Sequence, residues 1–174
     1  MQYTRRLVDE SLDQLLGALP AILLDGPKAV GKTTTALQRA KSVKALQKAA
    51  DRARAEVDSK WLSSGEKPIL IDEWHKVPDS WELVKDCVDQ DYSDGQFILT
   101  GSLPDKGTHS GAGRITSLRM RPLGFSERNL EQPQVSFANL LEGNAEISGE
   151  SNFSVRGYAE EIIRSGFFSI RGLE

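Results

Sequence analysis

Eight consecutive residues, Gly26-Pro27-Lys28-Ala29-Val30-Gly31-Lys32-Thr33, constrain this chain more than any other stretch. An apolar run, Ala21-Ile22-Leu23-Leu24, leads into them, and a polar, alanine-rich segment of helical character follows from Lys32 to about Lys41. Strand, glycine-bearing loop and helix form the context in which the Walker A pattern has a mechanism. Glycines let backbone N–H groups turn inward around phosphate oxygens, and the helix starting near Lys32 adds the positive end of its dipole. Lys32 then reaches β- and γ-phosphates, and Thr33 offers a hydroxyl to Mg²⁺. The candidate nucleotide-binding run extends from Gly26 to Thr34 and implies ATP with Mg²⁺. Within it Lys28 reads first as a surface charge of the loop, with phosphate contact as the alternative. At average glycine usage the pattern arises by accident on the order of 0.01 times in a chain of this length.

Composition narrows the remaining choices. With 174 residues, 39% of them apolar, the chain holds material for one α/β folding unit. Its 22 basic and 25 acidic side chains leave a formal charge of −3, so charge gives no support for a nucleic-acid partner. The longest apolar run, Leu15 to Leu24, is broken by Gly17 and Pro20 and falls far short of the roughly 20 residues a spanning helix needs. The N-terminus lacks the pattern of a secretory signal, and Cys87 is the sole cysteine; together these predict no membrane association and a cytoplasmic location. His75, His109 and Cys87 cannot assemble a four-ligand zinc site. Trp74, Trp81 and Cys87 read as packing residues.

Along the chain, short apolar runs alternate with amphipathic stretches, the pattern of a mostly parallel sheet covered by helices. Leu7 to Leu19 reads as a helix with Leu12, Leu15, Leu16 and Leu19 on one face. Further strands are expected at Ile69-Leu70-Ile71, Phe97 to Thr100 and Ile115 to Met120, with helices at Trp81 to Val88, Phe137 to Leu141 and Val155 to Ser165, the last capped by Gly166.

Asp72-Glu73 closes the apolar run at Ile71, at the strand end where open α/β sheets place ligands. In a Walker B arrangement Asp72 holds Mg²⁺ and Glu73 polarises the water that attacks the γ-phosphate. Strand alternation predicts that these neighbours point to opposite faces. A solvated turn is the alternative. The following strand ends Thr100-Gly101-Ser102; if it lies between the Walker strands, Thr100, or failing that Ser102, orients the water and senses the γ-phosphate, the alternative being local backbone satisfaction. Ser110-Gly111-Ala112-Gly113-Arg114 brings a cation out of a loop, a candidate arginine finger acting in cis or on a neighbouring subunit, with Arg119 and Arg121 behind it and ordinary exposed-strand arginines as the other reading.

The series Leu-Leu-Asp-Gly-Pro-Lys-Ala-Val-Gly-Lys-Thr-Thr-Thr, Ile-Leu-Ile-Asp-Glu-Trp, Phe-Ile-Leu-Thr-Gly-Ser and Gly-Ala-Gly-Arg-Ile resembles prokaryotic AAA+ ATPases that carry a C-terminal nuclease-like domain. The resemblance spans roughly residues 3 to 130, with a weaker tail to Gly172. It implies a three-layer P-loop NTPase sandwich with strand order 5-1-4-3-2, and the roles given above for Lys32, Thr33, Asp72, Glu73 and Thr100. It divides the chain into an ATP-binding core, 1–130, and a linker with the start of a helical lid, 131–174. Two departures stand out. Val43 to Ala50, with Gln47 and Lys48, stands where relatives usually show the second strand; Val43 to Leu46 is a poor strand candidate, and the strand reads as missing or replaced by helix. The chain also stops at Glu174, short of a complete lid, which reads as a truncated gene or fragment. The function implied is ATP binding and Mg²⁺-dependent hydrolysis driving an attached domain or a protein partner, with a homo-oligomer as one form. The alternatives are a non-hydrolysing ATP switch and a small-molecule kinase.

Overall fold

Three of the apolar runs form strands whose every residue is buried: β1 (Ala21–Asp25), β3 (Ile69–Asp72) and β4 (Phe97–Gly101). Uninterrupted burial requires cover on both faces of a sheet, and the core divides accordingly. Ala21, Leu23, Ile69, Ile71, Phe97 and Leu99 pack on one side with Trp81, Val84 and Val88 of a helix, α4 (Asp79–Gln90), and with Ala55 of another, α3 (Ala49–Val57). The alternate residues Ile22, Leu24, Leu70 and Ile98 pack on the other side, against Leu12 of α1 (Leu7–Leu16) and Ala36 of α2 (Lys32–Leu37). The result is three layers. A computed structural model of the chain describes residues 3–101, 111, 113–128, 130, 134–144 and 147–171.

The sheet has five parallel strands in the order β2-β3-β4-β1-β5, the sequence of neighbours anticipated from the resemblance read from its other edge. Asp25 pairs with Gly101 and Arg119, and Ile71 with Leu99, so Asp25, Asp72 and Thr100 all reach the same C-terminal edge. The outer strands are β2 (Ser42–Ala45) and β5 (Ile115–Arg119), and neither is uniformly buried.

The second strand is present, contrary to expectation. α2 ends at Leu37, short of Lys41, and the N–H of Lys41 donates to Pro68 O at 2.9 Å, which lays the next residues along β3. Lys44, the residue that disguises β2, is buried with its ammonium 4.4 Å from the centre of the Trp61 ring. A cation held over an indole face keeps a favourable partner without full hydration.

Residues 1–121 make one compact unit and 122–174 a second. The second unit holds α5 (Phe137–Leu141), α6 (Val155–Arg164) and α7 (Phe168–Arg171). Ser154 caps α6 by accepting from Gly157 N at 3.0 Å. At the other end Ser165, rather than Gly166, takes the left-handed backbone angle, φ 63°. Gly166 is required for a different reason: a Cβ there would stand 2.8 Å from Leu123 O. Glu161, buried in this unit, receives Arg171 at 2.6 Å and Arg128 at 3.2 Å. Arg171, and after it Arg128, holds its carboxyl below the usual carboxylate range. Phe168 and Ile170 are partly exposed, at 37% and 45%. Among the described residues no helix is long and apolar enough to cross a membrane.

Candidate active site

A cleft of about 510 Å³ opens at the C-terminal edge of the sheet, between the loop after β1 and the residues after β3. The loop's curvature rests on three left-handed positions: Gly26 at φ 149°, Ala29 at φ 63° and Gly31 at φ 105°. Gly26 also has no room for a side chain, because a Cβ would lie 2.2 Å from Met120 O. Gly31 stands at the N-terminus of α2, immediately before Lys32. Pro27, Lys28 and Ala29 are exposed at the loop's crest, Val30 is buried beneath them, and Thr34 faces solvent on the first turn of α2. Lys28 lines the cleft.

Lys32 is mostly buried and its ammonium donates to Gly26 O at 2.8 Å and Pro27 O at 2.9 Å. Its charge therefore sits inside the curl of the loop. Thr33 and Thr100, from α2 and β4, both donate their hydroxyls to one oxygen of Asp72, each at 2.6 Å. Such short bonds to a carboxylate are charge-assisted. Asp72 is 2% exposed, so these contacts define where its carboxylate lies.

Glu73 departs from the picture of two successive strand residues. β3 ends at Asp72, and Glu73 adopts φ 59°, ψ 48°, a left-handed turn that a non-glycine residue takes only at a cost. The turn, not strand alternation, separates the two carboxylates. Thr100 steadies it by accepting the Glu73 N–H at 3.1 Å. Thr100 is wholly buried, and its hydroxyl is engaged with Asp72 and Glu73. Its hydroxyl braces the acidic pair. Ser102, its alternate, lies outside the described residues, as do Ser110, Ala112 and His109.

Arg114 lies elsewhere. It precedes Ile115, which pairs with Ala21 at the start of β1, so it stands at the N-terminal edge of the sheet, about 13 Å of strand away from the cleft. Its guanidinium pairs with Asp89 of α4 at 2.6 Å. A finger acting on its own chain's cleft does not fit this placement. Arg119, level with Asp25, reaches the correct edge and is exposed; Arg121 is exposed too.

Several cleft residues carried no sequence signal. His75 follows on a 3₁₀ turn, Trp74–Lys76, and its Nε2 lies 3.3 Å from Glu73 Oε2. Gly101 makes this turn fit, since a Cβ there would stand 2.9 Å from both Trp74 Cδ1 and His75 Nδ1. Gln47 and Lys76 line the same cleft. Trp74 packs against Trp81 with ring centres 4.8 Å apart, and Cys87 is half-buried against the same core.

The family model for the AAA domain matches residues 19–129, from the approach to β1 through the loop, the acidic pair and β5. The chain belongs to the AAA domain family. No curated protein and no solved structure matches it. Membership brings nucleotide binding with it, and the loop from Gly26 to Thr33 is the feature of this AAA domain suited to that task.

Proposed function

We propose that this AAA domain binds Mg²⁺-ATP in the cleft and hydrolyses it, and that the nucleotide state moves an attached domain or a protein partner. The carrying observation is the junction at Asp72, where a hydroxyl from the loop helix and one from the neighbouring strand meet a single buried carboxylate oxygen. Thr33 and Asp72 form an oxygen-only donor set, which suits Mg²⁺, an ion that takes oxygen ligands and retains several waters. When bound, that ion would neutralise charge on the phosphates. Lys32 supplies a fixed cation for the β- and γ-phosphates, and the first turn of α2 adds its N–H groups. Glu73, held beyond the strand by its turn, is the group to accept a proton from the attacking water at its carboxylate.

The likeness to AAA+ ATPases with a C-terminal nuclease-like domain fits this division of labour, with 122–174 among what the nucleotide unit would move. One contact favours a switch over an ATPase. The Glu73 carboxylate lies 3.3 Å from His75 Nε2, a contact that occupies the group a catalytic base would need free. The kinase alternative gains nothing, because Arg128 and Arg171 of the second unit are committed to Glu161.

Titration calorimetry and single-turnover phosphate release separate these readings. Lys32→Ala should weaken ATP binding, and equal affinity in wild type and variant would remove the loop from the mechanism. Glu73→Gln should leave Mg²⁺-ATP affinity near wild type while cutting turnover by roughly 10²-fold. Asp72→Asn should instead reduce the dependence of binding on Mg²⁺. A wild type that binds ATP without releasing phosphate establishes the switch.

A further inference from the structure

Arg6 lies twenty residues before the loop and outside every motif in the chain. It is 5% exposed, and a buried guanidinium requires partners that justify its desolvation. Its backbone N–H donates to Asp9 Oδ2 at 2.6 Å, closing the first turn of α1. Asp9 is itself held by Arg39 at 2.8 Å and by the Tyr3 hydroxyl. Fixed in this way, the side chain reaches two backbone carbonyls, Val30 O at 2.9 Å and Arg121 O at 2.8 Å. The first belongs to the phosphate loop and the second to the segment leaving β5.

The Val30 carbonyl shares its peptide plane with the Gly31 N–H. Among the described residues the cis peptide is Lys67–Pro68, so the Val30–Gly31 bond is trans, and its C=O and N–H point in opposite directions. A donor that holds the carbonyl on one side of the loop therefore aims the amide hydrogen to the other. Gly31 permits this, because its φ of 105° is a left-handed angle that suits glycine.

We infer that Arg6 is a positioning residue for the phosphate loop: by holding the Val30 carbonyl against the end of β5, it turns the Gly31 N–H into the cradle. The inference rests on the reading of that loop as the ATP site. Arg6 acts through the backbone and touches no phosphate. One guanidinium bridging two carbonyls also fixes the loop's distance from Arg121. Lysine has one nitrogen and no planar fork, so it cannot reproduce that bridge.

The test compares wild type, Arg6→Lys, Arg6→Ala and Lys32→Ala by calorimetric titration with Mg²⁺-ATP and by the Gly31 amide resonance in ¹⁵N-labelled protein. Arg6→Ala should bind ATP about tenfold more weakly or worse, the scale of one charge-assisted hydrogen bond. Its Gly31 amide should lose the shift that ATP induces in wild type. Millimolar guanidinium ion should restore part of both, which general destabilisation would not allow. Arg6→Lys should fall between the two and carries the comparison if Arg6→Ala does not fold. Wild-type affinity and an unchanged Gly31 response in the Arg6 variants overturn the inference, as does a loss in Arg6→Ala that guanidinium leaves untouched. If wild type and Lys32→Ala bind ATP alike, the nucleotide reading itself falls and takes this inference with it.

Discussion

Replacing Thr100 by valine keeps the shape of a fully buried side chain and removes only its hydroxyl. Two bonds go with it: the 2.6 Å donation to Asp72 and the 3.1 Å acceptance from Glu73 N–H. The first is charge-assisted and contributes about 1.5–3 kcal/mol; the second leaves a donor short of its acceptor in a left-handed turn, at about 1 kcal/mol or more. Together they predict a loss of about 3 kcal/mol, or roughly 10 °C in thermal midpoint for a protein of this size. The loss should be present without nucleotide, because both partners belong to the protein. Thr100→Ser, which keeps the hydroxyl, should recover most of it. Turnover should fall in Thr100→Val more than ATP affinity does, since Glu73 loses its support while Lys32 is untouched. Thermal unfolding followed by circular dichroism, without nucleotide, decides the matter. If Thr100→Val melts with wild type and only its turnover suffers, the hydroxyl acts on the phosphate and the bracing assignment is wrong.

Gly26→Ala should damage both stability and ATP affinity, because its Cβ would have to displace the Met120 carbonyl from 2.2 Å; a melt and a titration matching wild type would contradict the close approach seen here. Glu161→Gln should destabilise the second unit by about 3 kcal/mol at neutral pH, the low end for breaking a buried ion pair. The paired carboxyl titrates below its unfolded value of about 4.3, so its stabilisation is full above that pH and is lost as pH falls through the lower folded value. The gap between wild type and Glu161→Gln should accordingly close in acid, as urea melts at several pH values would record.

How much could be read in advance depended on where each strand sits. β1, β3 and β4 are covered on both faces and wrote themselves into the chain as unbroken apolar runs. β2 is an edge strand with one exposed valine and one lysine whose charge is absorbed by Trp61, so its pattern resembled a loop or a helix. The loop and acidic pair were legible because phosphate chemistry fixes residue types at fixed spacing. Arg114 shows how far register can override loop composition: the pairing of Ile115 with Ala21 sets it at the edge away from its own chain's cleft. Thr100 was located correctly at a strand tip, but the direction of its hydroxyl depends on a carboxylate that only the folded sheet brings beside it. Arg6 and His75 had no local signature, since their contacts join elements distant in the chain or a turn that no composition announces.

The helix α1 also bears on where this domain begins. The family match starts at residue 19, after α1 has ended at Leu16. Packing draws a different border, because Leu12 is wholly buried against Ile22, Leu24, Leu70 and Ile98. A protein trimmed to the matched span would keep every motif residue yet open one face of its sheet to water and leave Val30 O without the guanidinium that holds it. The family match thus marks the motif residues of the domain, while the packing that covers its sheet extends to the helix before them.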